Sequence, residues 1–144
     1  MYELLYSSIA KPDLAGEDIL DILKTSQEFN LKYNITGCLL YFDKEFIQIL
    51  EGDEQSVKNL FSKIKKDIRH TNVNLLLENG KTERVFKNWS MAFNGLSIEE
   101  MNNIDKVLLV NNFITFSELD YKSTKASKLF FSMAKEPFKK LLKI

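Results

Sequence analysis

Ile35-Thr36-Gly37-Cys38-Leu39-Leu40-Tyr41 and Phe46-Ile47-Gln48-Ile49-Leu50 are two nearly unbroken apolar runs parted by the turn Asp43-Lys44-Glu45. Short runs of this kind, bounded by turn-forming residues, read as central strands of a sheet covered on both faces. Gly52 closes the second run, and Asp53 then offers an N-cap to a helix. Val57, Leu60, Phe61, Ile64 and Ile68 fall on one face of that helix. Upstream of the first run, Ile19, Ile22, Leu23, Ser26 and Asn30 recur at helical spacing, which predicts an amphipathic helix from about Gly16 to Leu31. Lys11-Pro12-Asp13 separates it from Tyr2 to Ile9, an aromatic and β-branched stretch that forms the first strand.

Downstream, Asn74 to Leu77 reads as a fourth strand, Asn79-Gly80 as a hairpin signal, and Val85 to Ala92 as a fifth strand. The order β-α-β-β-α-β-β is a ferredoxin-like α+β plan with two helices on one face of the sheet. The last third changes character. Ser97-Ile98-Glu99-Glu100 is a capping box opening a helix to about Val110, and Ser123 to Lys135 forms another helix, broken or kinked at Pro137. Fewer than 50 residues struggle to make a core of their own. The two C-terminal helices are therefore expected to dock on the other face, as an extension over 96–144 of a domain over 1–95.

The 144 residues carry 20 basic and 20 acidic side chains, so formal charge cancels, and 44% of the chain is apolar. A chain without basic excess is a poor nucleic-acid binder. No apolar stretch approaches the roughly 20 residues that cross a bilayer, and the N-terminus lacks the basic start of a signal peptide. Cys38 has no partner for a disulfide, which suits a reducing, cytoplasmic setting.

Several polar residues fit a bland core poorly. Gln48 sits mid-strand, where a buried amide must find partners. Ser26 and Asn30 share the helix stripe of Ile22 and point toward the sheet. Tyr6 alternates with Leu4 and faces the same interior. Arg69, one of two arginines, directly precedes the only histidine, His70, at a helix end. Trp89 and Met91 alternate on the fifth strand. Singly, each has an ordinary structural explanation, and His70 without a neighbouring His or Cys is a poor metal ligand. Together they outline a polar, concave site between the first helix and the central strands.

In order and spacing, Leu5-Tyr6-Ser7-Ser8, Ser26-Gln27-Glu28-Phe29-Asn30, Ile35 to Tyr41, Phe46 to Gly52, Asp67-Ile68-Arg69-His70 and Trp89-Ser90-Met91 resemble the BLUF family, sensors of blue light using FAD. The resemblance runs from Tyr2 to about Phe93. It departs from the family where Asn34 replaces a frequent glycine and where the Asp43-Lys44-Glu45 turn lacks one. It implies a bound FAD, no metal, and no enzymatic turnover. Tyr6 would be electron and proton donor, with Gln48 between its phenol and the flavin N5/O4 edge. Asn30 would bind the O4/N3 edge, Ser26 would contribute to the binding site, and Arg69 and His70 would flank the ring. Trp89 and Met91 would form the switch pair coupled to Gln48.

With no output domain expected, the signal would leave through a downstream partner protein or a homo-oligomer interface, with 97–144 as the relay surface. The rival is a small flavin-dependent oxidoreductase assisted by Cys38 or His70. An acylphosphatase-like enzyme would need an anion-cradling loop beside strand one, and an RNA-binding sheet would need a basic face. Neither feature is found.

Overall fold

Alternation along the first strand divides the molecule into two faces. In the computed structural model, which describes residues 1–14, 16–42, 44–86 and 124–142, β1 spans Tyr2–Ala10. Its residues Tyr2, Leu4, Tyr6 and Ala10 join one apolar cluster, while Leu5 joins another. The chain continues through α1 (Gly16–Lys32), β2 (Thr36–Phe42), β3 (Glu45–Gly52), α2 (Glu54–Lys66), β4 (His70–Gly80) and α3 (Lys125–Leu142). The sheet order is β2-β3-β1-β4, and every neighbouring pair is antiparallel. This is the ferredoxin-like α+β fold expected from the order of elements.

On the first face, the inward residues of β1 meet Leu39, Phe46 and Leu50 beneath Val57, Leu60 and Phe61 of α2, with Ile22 and Phe29 of α1 packed alongside. On the second, Leu5, Cys38, Ile47 and Ile49 meet Phe86 and the α3 residues Ala126, Phe130 and Phe131. A C-terminal helix thus covers the sheet face opposite α1 and α2. The helix expected over 97–110 and the boundary at 95/96 lie outside the described residues.

Local chemistry explains the joints. Asp53 caps α2 in an extended conformation, and its carboxylate accepts the Ser56 N–H. Asn34 and Lys44 hold positive φ of 54° and 66° in the connections flanking β2. Asparagine tolerates that region better than most residues. Gly37 has φ 153°, a backbone that other residues rarely adopt.

Four expectations are corrected. Asn79-Gly80 does not turn the chain: both residues belong to β4 and pair with Glu3 and Tyr2, because β1 reaches far enough to extend the ladder over them. Arg69 and His70 do not sit at a helix end, since α2 stops at Lys66 and His70 opens β4. Ile68 lies beyond that stop and is 75% exposed, so it leaves the buried face of α2. Finally, α3 is not broken at Pro137 but runs on to Leu142. Proline removes one backbone donor but leaves the hydrogen bonds on either side in place. Of the expected fifth strand, Val85 and Phe86 stand outside any strand, and the remainder lies outside the described residues.

The second face also buries charge. Glu3 and Glu51 are fully buried, and the Lys81 ammonium lies between them, 3.1 Å from Glu3 Oε1 and in contact with Glu51 Oε2. Glu51 accepts the Val85 and Phe86 N–H groups at 2.9 and 2.6 Å and the Thr36 hydroxyl at 2.8 Å. Glu3 accepts the Asn79 amide and the Thr124 hydroxyl, both at 2.6 Å. Thr124 Oγ1 in turn accepts the Ser127 N–H at 3.2 Å, so the start of α3 is tied to β1 through a buried carboxylate.

Candidate functional site

Between α1, α2 and the first sheet face lies a cavity of ≈160 Å3. Ile22, Phe29, Leu39, Phe46, Leu60 and Ile64 make its walls apolar. Tyr6, Gln48, Ser26, Asp67, Arg69 and His70 supply its polar groups. Five of the residues singled out in the sequence therefore converge here: Tyr6, Ser26, Gln48, Arg69 and His70.

Antiparallel pairing sets Tyr6 on β1 directly opposite Gln48 on β3. The side chains are buried, and the Tyr6 hydroxyl donates to Gln48 Oε1. The Tyr6 ring also packs against Phe61, with centroids 5.4 Å apart. Burial pushes the phenol well above its ordinary value, and the nearby Asp67 carboxylate adds to the shift. Tyr6 is thus a neutral hydrogen-bond donor throughout the physiological range.

Asn30 is on the last turns of α1, one turn beyond Ser26. It is fully buried but not part of the cavity wall, and both atoms of its side-chain amide lack a hydrogen-bond partner. An orphaned donor and acceptor together are costly, and they mark a place where a ligand's polar edge would be welcome.

His70 is held from two sides. Its Nε2 lies 2.5 Å from the Ile64 carbonyl, which can only accept, so Nε2 carries the proton. The Ser8 hydroxyl bonds Nδ1 at 2.9 Å. Arg69 folds back on Asp67, with Nη2 2.6 Å from Oδ2 and its backbone N–H 2.9 Å from Oδ1. That embrace holds the Asp67 carboxyl below the usual carboxylate range and raises the guanidinium. Arg69 also lies 3.8 Å from Asp21.

Trp89 and Met91 lie outside the described residues. Cys38 is buried on the opposite sheet face, with its thiol pushed well up by burial, so it cannot assist chemistry in this cavity. The sequence reading missed Asp67, Lys63, Thr25 and Phe46 as cavity residues. In the sequence Lys63 looks like any solvated lysine, and Asp67 stands out only as part of a motif. Among the described residues, no cluster of His, Cys, Asp and Glu could hold a metal ion, and no helix is long and apolar enough to cross a membrane.

A family model described as "Sensors of blue-light using FAD" (BLUF) matches residues 1–92. The photoactivated adenylate cyclase subunit beta of Euglena gracilis is 35% identical over 90 residues, covering 62% of this chain and 10% of that one. The blue light- and temperature-regulated antirepressor BluF of Escherichia coli K12 is 30% identical over 101 residues, 70% of this chain and 25% of that one. The chain thus matches between a tenth and a quarter of the length of these relatives. Among solved structures, the photo-activated state of BlsA aligns with a TM-score of 0.64 at 30% identity, covering 95% of this chain and 94% of that one.

Proposed function

The chain belongs to the BLUF family, sensors of blue light using FAD, and on that premise we propose that Tyr6, Gln48 and Asn30 form its light-responsive flavin site. The carrying observation is the buried Tyr6–Gln48 hydrogen bond in an apolar cavity that Ser26 of α1 also lines, with the partnerless Asn30 amide one turn beyond Ser26. The residues fit the group. A flavin ring is flat and largely apolar, with acceptors and an N–H along one edge; the cavity offers apolar walls and the Gln48 amide, and the unpartnered Asn30 amide lies one α1 turn beyond the lining residue Ser26. Bound there, FAD supplies blue-light absorption and an excited state that accepts an electron.

The chain's own part is hydrogen-bond switching. Tyr6 presents its proton to Gln48 Oε1. An amide has a donor end and an acceptor end, so Gln48 can reverse its bonds without a change of charge. Asn30 orients the ligand edge, Ser26 and His70 complete the polar rim, and Arg69 holds Asp67 in place beside it. The switch assists no turnover, and the chain is a sensor rather than an enzyme.

The signal exits through the second face. Gln48 is flanked on β3 by Ile47 and Ile49, which point away from it onto Phe86 and α3. Trp89 and Met91, just after Phe86 in sequence, join this relay, and the helical extension over 96–144 passes it to a downstream protein or a second copy of the chain. The setting is cytoplasmic, in keeping with a single buried thiol.

Absorption spectra taken in the dark, after blue light and after dark recovery test this reading. The parent protein shows a flavin spectrum that shifts to the red and returns. Tyr6→Phe and Gln48→Leu keep the flavin and lose the shift. A normal shift in either variant would overturn the role of that residue.

A further inference from the structure

Glu51 lies near the end of the strand that carries Gln48. It stands three residues further along β3, about 10 Å away at strand spacing, and is fully buried on the opposite sheet face. Its carboxylate gathers four donors, from β2 and from the chain beyond β4. Oε1 accepts the Phe86 N–H at 2.6 Å and the Thr36 hydroxyl at 2.8 Å; Oε2 accepts the Val85 N–H at 2.9 Å and the Lys81 ammonium. The Glu51 backbone carbonyl accepts Arg84 Nη1 at 3.1 Å, and the same guanidinium donates to Thr36 Oγ1 at 2.8 Å and to the Asn34 carbonyl at 2.7 Å. Arg84, Val85 and Phe86, which stand outside any strand, are thus three consecutive residues held by one. A carboxylate is the side chain this arrangement requires. It accepts at both oxygens, whereas an amide of the same size accepts at one end and donates at the other. A glutamine here, whichever way its amide turned, would face one of the two N–H groups with a donor of its own.

We propose that Glu51 is a positioning residue of the switch: by fastening β3 to residues 84–86 it sets how long the light-adapted state lasts. The proposal rests on the reading that Tyr6 and Gln48 form a light-responsive flavin site. When Gln48 reverses its hydrogen bonds, its strand must adjust to the new partners, and at Glu51 that adjustment meets resistance. Four charge-assisted bonds converge on a carboxylate that is out of water. Any displacement stretches several of them at once, and solvent does not replace them. The cost falls on the displaced arrangement and not on the resting one, so it drives the return. Glu51 is not part of the cavity wall. It therefore acts through β3 and not on the ligand.

The rate of dark recovery after blue light, followed by absorption, tests this role beside FAD affinity and stability in urea. Glu51→Gln recovers roughly fivefold more slowly than the parent, the scale of one net hydrogen bond lost from the restoring contacts, and binds FAD as tightly. The variant keeps the Lys81–Glu3 ion pair at 3.1 Å, so no buried cation is orphaned. Asp53→Ala, which removes the α2 cap, is the control: it lowers stability and recovers at the parent rate. Thr36→Val keeps a β-branched strand residue and removes one of the four donors, so it slows recovery in the same direction. Unchanged or faster recovery in Glu51→Gln, or in Thr36→Val where Glu51→Gln does not fold, would overturn the positioning role and leave the flavin reading standing. Equal slowing in Asp53→Ala would overturn it as well, since recovery would then follow stability alone. A parent chain that shows no reversible red shift would remove the flavin reading, and this role with it.

Discussion

Replacing Asn30 by leucine separates two quantities that usually move together. The amide is buried with neither its donor nor its acceptor satisfied, a state that costs about 1–3 kcal/mol. Leucine removes that cost, so the flavin-free variant should resist urea better than the parent by about 1 kcal/mol or more. The same change should weaken flavin binding, because the ligand edge loses its partner. A loss of stability without flavin would show that Asn30 has protein partners after all. Tyr6 carries a pH signature. Its folded phenol titrates well above the ordinary value of 10.0. Above pH 10 the unfolded chain releases a proton that the native state keeps, so this stabilising contribution is whole below pH 10 and is lost as pH rises. The loss approaches about 1.4 kcal/mol per pH unit. Tyr6→Phe lacks that dependence. Its deficit relative to the parent, measured by urea titration, should therefore shrink from pH 10 upward; a constant deficit would contradict the burial of the phenol. Period-2 alternation made Tyr6 and Gln48 legible in the sequence. The fact that Asn30 has no partner was not, because satisfaction of an amide depends on neighbours that spacing does not reveal.

Elements were read best where local chemistry alone decides them. The α2 cap is one case: Asp53 accepts the Ser56 N–H, and Asp53→Ala should cost about 1 kcal/mol in urea denaturation without altering flavin affinity. A change below a few tenths would mean that another group caps the helix equally well. Asn34 is another: it stands where the family frequently has glycine, and its φ of 54° is one that asparagine tolerates. Elements were read less well where a distant strand decides. Asn79-Gly80 carries the chemistry of a tight turn, yet β1 begins at Tyr2 and pairs with it, so the ladder overrides the local preference. Pro137 similarly suggested a break, but α3 continues past it. An interior proline costs a helix one hydrogen bond and a clash with the carbonyl four residues back, about 3 kcal/mol, yet the helix extends beyond it.

At the level of the whole molecule, β1 and β3 are the shared middle of two unlike faces. One face holds Tyr6 and Gln48 in the cavity; the other holds Glu3, Glu51 and the apolar contacts with α3. Any movement of β3 caused by a switch at Gln48 must reach Ile47, Ile49 and Glu51, which lie on the same strand with opposite orientation. The buried charges make that second face exacting, since ions out of water are tolerated only while every partner stays in place. Sequence alternation already hinted at this, because Glu3 and Glu51 occupy positions in phase with Leu5, Ile47 and Ile49. What spacing could not supply was Lys81, which arrives from beyond β4 to sit between the two carboxylates. Lys81→Met should accordingly destabilise the protein by about 3–5 kcal/mol, leaving two buried carboxylates without their cation. The damage should be local first. Hydrogen exchange should speed up at Val85, Phe86 and the first turn of α3, whose backbone or capping groups bind Glu51 and Glu3, before it does so in α2. Uniform acceleration across both faces would instead mean that the network only adds to global stability and does not fasten the C-terminal helix to the strands that hold Tyr6 and Gln48.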